Sequence, residues 1–176
     1  MDQDWIGQIV ERWSGLEPDV DFDAYLVTGR LSRISTHIAR RQEEVFGRFG
    51  LNRGEVGVLS ALRTAGPPHL LSPTRLFKGL MLSSAGMTSR LDRLESRGLV
   101  VRQADPADRR GILVELTPKG RELVDAAVAA NTEEERALLA GLGPKDVEAL
   151  ARLLKDLLAR LEDLDGTDSG PDRATR

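Results

Sequence analysis

Two consecutive arginines, Arg109 and Arg110, follow Asp108 in the segment DPADRRG at residues 105–111. Apolar segments flank it on both sides, so the pattern predicts a hairpin with the arginines at its tip. Guanidinium groups on such a tip suit an anionic partner, and the negative potential of a DNA minor groove attracts arginine. Asp108 cannot favour DNA by its charge, so we expect it to hold an arginine through a charge-assisted hydrogen bond. A solvent-exposed salt bridge within the turn is the alternative.

The charge distribution also favours an anionic partner. The chain of 176 residues has a net charge of −3, yet residues 72–120 contain nine basic and five acidic residues, a net charge of +4. Residues 1–71 and 121–176 are acidic, with net charges of −2 and −5. One basic segment between acidic flanks indicates a local site for a polyanion, with a solvated basic surface as the alternative.

Composition argues against several other classes of protein. No stretch approaches the ~18–20 continuous apolar residues of a membrane span, and the N-terminus does not resemble a signal peptide. There are no cysteines, so disulfides and thiolate metal sites are excluded, and we expect a cytoplasmic protein. An enzyme is the main rival class. With only His37 and His69, and no P-loop, nucleotide fingerprint or H-E-x-x-H spacing, we expect no catalytic residues, metal or cofactor.

The elements around the predicted hairpin follow the order of a winged helix-turn-helix. Apolar periodicity predicts a helix over residues 20–49, and two short strands, LVVR and ILVEL, form the hairpin. Capping residues and prolines predict further helices beginning at or just after Asn52, Ser72, Ser83, Thr117 and Pro144. The predicted fold class is mainly α: a winged helix-turn-helix with a two-stranded β wing and long N- and C-terminal dimerisation helices.

This order of elements predicts four segments. Residues 1–49 contain the N-terminal helices and contribute to dimerisation, and residues 50–120 form the winged helix-turn-helix DNA-binding domain. Residues 121–165 form the C-terminal dimerisation helices. Residues 166–176, GTDSGPDRATR, lack apolar side chains and are predicted to be disordered.

The helix after Ser83 has one apolar and one polar face. Met87, Leu91 and Leu94 lie on one stripe, which must pack inward. The opposite face is small or hydroxylic with one arginine, which suits a helix lying in a major groove. The candidate DNA contacts on this helix are Ser84, Thr88, Ser89 and Arg93. Arg90 lies beside the apolar stripe and is expected at a phosphate or in a cleft. An ordinary surface helix is the alternative.

The last predicted helix carries a regular apolar seam with spacings of three and four residues. Such a seam at a chain end requires a partner surface, and a second subunit is the expected partner. Packing on the chain's own first helix is the alternative. The predicted dimerisation residues are Val147, Leu150, Leu154, Leu157, Leu161 and Leu164.

The segment from LSPTRLFKG to LTPKG, residues 71–120, resembles the DNA-binding core of the MarR family of bacterial transcriptional regulators. The wing pattern of that family is present as Asp108, Arg110, Leu116 and Thr117, and RLDRLESRGLV is also typical of it. The resemblance implies a homodimer that binds double-stranded DNA at a pseudo-palindromic operator, and many members of the family respond to small aromatic or phenolic ligands. The expected function is therefore a repressor released by such a ligand. A winged-helix protein that acts through protein contacts, without ligand control, is the alternative.

The N-terminal segments RWSGLEPDVD and VTGRLSRI resemble the urate-binding branch of that family, which has an extra N-terminal helix. By position, Trp13, Arg90 and Arg102 match residues that contact the ligand in that branch. Gly57 departs from the branch, which has an aspartate there. The resemblance therefore implies a ligand site formed by these four residues, with a ligand other than urate.

Overall fold

The computed structural model of the chain describes residues 4–79, 84–106, 108 and 111–165; of residues 77–79, 84, 85 and 165 it describes the backbone. Two compact units make up the chain, Met1–Glu44 and Val45–Arg176. No helix in the described part of the chain is long and apolar enough to cross a membrane. The elements are α1 (Trp5–Leu16), α2 (Asp23–Gly47), α3 (Arg53–Thr64), β1 (Leu70–Leu71), α4 (Pro73–Gly79), α5 (Ser84–Ser96), β2 (Val100–Ala104), β3 (Ile112–Leu116), α6 (Pro118–Leu139) and α7 (Pro144–Asp165).

The first unit pairs α1 with the N-terminal part of α2. Asp4 caps α1 by accepting a hydrogen bond of 2.8 Å from the Gly7 N–H, and its other carboxylate oxygen lies 2.8 Å from Nε of Arg30. Ile6 is buried, and a Cβ at Gly29 would lie 3.1 Å from its Cδ1. A glycine at position 29 therefore lets α2 approach Ile6 closely.

Side-chain caps begin three helices of the second unit, α3, α4 and α6, where the sequence predicts them, and the predicted cap Ser83 lies outside the described residues. The Asn52 side chain accepts from the Glu55 N–H at 2.9 Å, and the Glu55 carboxylate accepts from the Asn52 N–H at 3.1 Å. Ser72 precedes α4, and Thr117 caps α6 by accepting from the Gly120 N–H at 3.0 Å. These caps satisfy N–H groups that have no partner within the first turn of a helix.

Within the described residues the sheet has three antiparallel strands in the order β1-β3-β2, so a third strand joins the predicted two-stranded wing. The predicted hairpin is present, with Val100 opposite Leu116 and Ala104 opposite Ile112. The added strand β1 pairs Leu70 with Glu115. Two residues are too few to show the alternation of a strand, so only pairing with β3 defines β1.

The hydrophobic core of the second unit lies between α3, α5, α6 and the sheet. Met87, Leu91 and Leu94 on α5 are all buried, which confirms their predicted inward orientation. Full burial of one such side chain contributes about 1.5–3 kcal/mol. This stripe therefore fixes the rotation of α5 and determines which of its residues face outward.

The start of α6 is bonded to the chain that follows α5. The Thr117 N–H donates to the carbonyl of Leu99 at 3.1 Å, and its hydroxyl donates to the carbonyl of Gly98 at 2.9 Å. A Cβ at Gly120 would lie 3.0 Å from the carbonyl carbon of Leu99. Only a glycine allows this approach, so the C-terminal end of α5 and the N-terminal end of α6 form one junction.

Candidate nucleic-acid interface

The outward face of α5 is polar and exposed, as predicted. Ser89, Arg93 and Ser96 lie on this face, opposite the buried stripe, and Thr88 is exposed at the edge of the face. The fourth candidate on this helix, Ser84, begins α5, and its side chain lies outside the described residues. The helix therefore presents hydroxyl groups and one guanidinium on a single face.

Two side chains hold the guanidinium of Arg93. Its Nε donates to Oε1 of Glu55 at 2.9 Å, and its Nη1 donates to the hydroxyl of Ser89 at 2.8 Å. The Arg93 side chain is 50% exposed, whereas that of Glu55 is only 5% exposed. Among the described residues, Nη2 of Arg93 has no hydrogen-bond partner, so part of the guanidinium is available to an external acceptor.

Glu55 is a functional candidate that the sequence pattern does not reveal. The capping-box spacing predicts its bond with Asn52, but its contact with Arg93 joins residues 38 positions apart. Nη1 of Arg97 also lies 3.9 Å from its carboxylate. A shallow groove opens beside this cluster and is lined by Gly50, Leu51, Asn52, Glu55, Arg93, Ser96 and Arg97.

Arg90 lies beside the buried stripe of α5, where the sequence places it. Its Nε is buried and has no hydrogen-bond partner among the described residues. The guanidinium lies against Gly54, where a Cβ would be 2.8 Å from Cζ of Arg90 and 2.9 Å from its Nη2. Arg90 is thus a partly buried cation held next to a glycine of α3.

Arg102 connects the wing to α5. Its Nη2 lies 2.7 Å from the carboxylate of Asp92, and its Nη1 donates to Oε2 of Glu95 at 2.8 Å. Its backbone N–H donates to Oε1 of Glu95 at 3.0 Å. Two carboxylates of α5 therefore already neutralise the guanidinium that, by the family resemblance, would contact a ligand.

The tip of the wing closes through backbone hydrogen bonds. The Asp105 N–H donates to the Gly111 carbonyl at 3.0 Å, and the Gly111 N–H donates to the Asp108 carbonyl at 2.8 Å. Asp108 is exposed at this turn. Arg109 and Arg110 lie outside the described residues.

The remaining predicted ligand residues lie in different units. Trp13 belongs to α1, is half exposed and lies 6.4 Å from the ring of Phe22, centroid to centroid. Gly57 belongs to α3 in the second unit and is half-buried. Within the described residues, no cluster of three or more His, Cys, Asp or Glu side chains is placed to hold a metal ion.

The seam of α7 is exposed along its length. Val147 is half-buried, whereas the leucines of the seam range from 37% exposed at Leu157 to 81% at Leu164. Leu153 and Leu158, which widen the stripe, are also exposed. Monomeric proteins rarely leave so long an apolar stripe in water, so this face is the candidate interface of the described residues.

Comparison with known proteins identifies relatives of this chain. Residues 49–111 match the MarR family. The HTH-type transcriptional regulator PecS of Dickeya dadantii is 36% identical over 149 residues, which span 85% of this chain and 90% of PecS. A variant of MarR from E. coli, solved in complex with operator DNA, is 29% identical and has a TM-score of 0.67, covering 79% of this chain and 99% of that one. A MarR-family regulator of Streptomyces coelicolor, also solved with DNA, shares the fold, with a TM-score of 0.72, 23% identity and coverage of 81% of this chain and 90% of that one.

Proposed function

The chain belongs to the MarR family of DNA-binding transcriptional regulators, and we propose that it is a homodimeric repressor released from a pseudo-palindromic operator by a small aromatic ligand. The observation that carries DNA binding is the outward face of α5, where Ser89 and a partly free Arg93 lie in the basic segment of the chain. On this proposal α5 enters the major groove, and Arg93 contacts a base pair.

The wing completes the proposed DNA interface. Arg109 and Arg110 follow the exposed Asp108 at the turn between β2 and β3, so they lie in sequence at the wing tip. Arginines at such a tip suit the minor groove next to the recognition helix. Asp108 then orients one of them, and Ser84 and Thr88 contribute hydroxyl groups beside the groove.

Selection of bound duplexes from genomic DNA will give the operator, and binding titrations will test the assigned residues. Arg93→Ala should lose about 1–3 kcal/mol of discrimination at one base pair of each half-site. Arg110→Ala should weaken all duplexes and reduce the salt slope by about 1. Arg136→Ala, which removes an exposed arginine of α6, is the matched control and should do neither. Wild-type preference and salt dependence in both test variants would contradict the proposed interface.

The homodimer rests on the exposed seam of α7. The leucines of this seam recur at the spacing at which helices pack against each other. A second copy of the same helix would bury them by a two-fold related contact. In this assembly each subunit presents one α5, and the pair binds half-sites with centres about one helical turn apart, ~10 bp.

On this proposal the ligand contacts are the residues that the family resemblance indicates: Trp13, Arg90, Arg102 and Gly57. The two arginines differ in availability, because Arg102 is paired with two carboxylates whereas Nε of Arg90 has no partner among the described residues. Arg90 is therefore the stronger donor for an anionic or phenolic oxygen, and Trp13 offers a stacking surface. Release of DNA follows if the ligand binds one position of α5 better than the other.

Gly57 predicts which aromatic ligand fits. It offers neither a carboxylate to pair with ligand N–H groups nor side-chain bulk, so a bulkier phenolic or carboxylated aromatic is favoured over urate. Titration of the operator complex with urate and with a panel of aromatic acids tests this, with Gly57→Asp as the comparison. Tight urate binding by the unmodified chain would contradict the role of Gly57. If no compound releases the operator and Trp13 fluorescence is constant, the ligand site is wrong.

A further inference from the structure

Glu55 is a buried carboxylate whose burial the capping box does not require. Its side chain is 5% exposed, and a buried carboxylate costs several kcal/mol unless it is paired and hydrogen-bonded. One oxygen, Oε2, accepts from the Asn52 N–H and completes the cap. The other, Oε1, accepts from Nε of Arg93 and has no part in the cap.

Glu55 and Ser89 together fix Arg93 at two points. Nε is held by Glu55 at 2.9 Å and Nη1 by Ser89 at 2.8 Å, so both the position and the plane of the guanidinium are set before DNA binds. An arginine side chain carries about 2 kcal/mol of rotamer entropy, which a fixed arginine does not lose again on binding. Nη2 and the second hydrogen of Nη1 are left for a bidentate contact, the kind that arginine makes with O6 and N7 of guanine.

We propose that Glu55 is a positioning residue for sequence recognition: it orients Arg93 toward a guanine of the half-site and does not itself touch DNA. This inference rests on the proposed role of Arg93 in base contact. A carboxylate close to DNA repels phosphates, so Glu55 should lower affinity for every duplex while raising the preference for the operator. If Glu55 had only a structural role, its replacement would lower both the affinity for every duplex and the preference for the operator.

Glu55→Gln tests this assignment, because the amide keeps the length of the side chain and an oxygen that can accept from the Asn52 N–H. Dissociation constants are measured for the selected operator, for its single-base-pair variants and for a scrambled duplex. We expect the preference at the Arg93 base pair to fall roughly tenfold and the scrambled duplex to bind at least as tightly as before. Glu55→Gln combined with Arg93→Ala should lose no more preference than Arg93→Ala alone, since both changes remove one interaction.

One further variant controls for loss of a carboxylate, and a second tests the other anchor of Arg93. Asp125→Asn removes a carboxylate that lies 2.9 Å from Nε of Arg63. Because Arg63 belongs to α3, as Glu55 does, this variant also loses an ion pair of α3, and it should leave base preference unchanged. Ser89→Ala removes the second anchor of Arg93 from an exposed position, so it cannot empty the core, and it should weaken preference at the same base pair.

Three results would overturn the inference: unchanged preference in Glu55→Gln, equal weakening of operator and scrambled duplex, or losses that add to those of Arg93→Ala. If Arg93→Ala relaxes the preference while Glu55→Gln does not, the positioning role fails and the DNA-contact role of Arg93 stands. If Arg93→Ala itself leaves the preference unchanged, both are wrong. Should Glu55→Gln fail to fold, Ser89→Ala decides, and an unchanged preference at the Arg93 base pair would then count against the inference.

Discussion

Replacement of Gly54 by alanine should displace Arg90 without unfolding the protein. The added Cβ would clash with Nε of Arg90 and would lie 2.8 Å from its Cζ and 2.9 Å from its Nη2, well inside the 3.5–4.0 Å of a relaxed carbon contact. Something must move, and a guanidinium at the end of a flexible side chain moves more easily than the backbone of α3 or α5.

The sign of the stability change follows from three magnitudes. Gly→Ala at a position with a compatible backbone stabilises by about 0.4–1 kcal/mol, because it restricts the unfolded chain. Moving Nε of Arg90, buried without a partner among the described residues, into water recovers part of a penalty of about 1–3 kcal/mol. Overpacking would cost about 1–3 kcal/mol, but only if the arginine cannot move. We therefore expect the free energy of unfolding of Gly54→Ala to rise by about 0.4–1 kcal/mol.

Urea unfolding followed by circular dichroism, at one fixed protein concentration, measures this change. The matched control is Gly54→Ala in an Arg90→Ala background, where the new methyl group meets no guanidinium and the same gain is expected. A loss of about 1–3 kcal/mol with Arg90 present, beside a gain in its absence, would refute the argument, because the arginine would then be rigidly held. If Arg90 also binds the ligand, Gly54→Ala will raise the ligand concentration needed for operator release.

The seam of α7 and the Asp4 carboxylate give two further predictions. Leu154→Asp with Leu161→Asp places charges in the seam of α7 and should convert the dimer to monomer or unfolded chain in sedimentation velocity; an unchanged folded dimer would rule the seam out as the interface. In the first unit, two hydrogen bonds lower the pKa of the Asp4 carboxyl below its ordinary value. The larger effect comes from Arg30 and the smaller from the backbone N–H of Gly7 in α1. The stabilising contribution of Asp4 should therefore be complete above about pH 4 and disappear as the pH falls through the lowered pKa. The Asp4 carboxyl resonance in an NMR titration checks this, and an unchanged pKa in Arg30→Gln would show that the ion pair is not the cause.

Local patterns in the sequence were sufficient to predict where α3, α4 and α6 begin. Asn52, Ser72 and Thr117 each bond N–H groups within their own first turn, so spacing along the chain determines the cap. The buried stripe of α5 was also predictable, since its members repeat with the period of a helix. From that stripe the exposed positions of Ser89 and Arg93 follow directly.

Features that depend on distant residues could not be predicted. Strand β1 has two residues and exists through its pairing with β3, so no local alternation indicates it. The bond between Glu55 and Arg93 depends on the packing of α3 against α5, which no pattern near either residue encodes. For Arg102, the family resemblance implies a ligand contact, and only the placement of β2 beside α5 reveals its carboxylate partners.

The junction between Thr117 and the residues that follow α5 couples the orientation of α6 to that of α5. With 22 residues at 1.5 Å each, α6 is about 33 Å long. A tilt of about 6° at one end of such a rod displaces the other end by roughly 3.4 Å, the spacing of adjacent base pairs. In the proposed dimer joined through α7, a change of a few degrees in the tilt of α6 would therefore be enough to misalign the two α5 helices with their half-sites. On the proposed function, a ligand could therefore release the operator by altering the angle at which α6 leaves the junction, without contacting the DNA-facing side of α5.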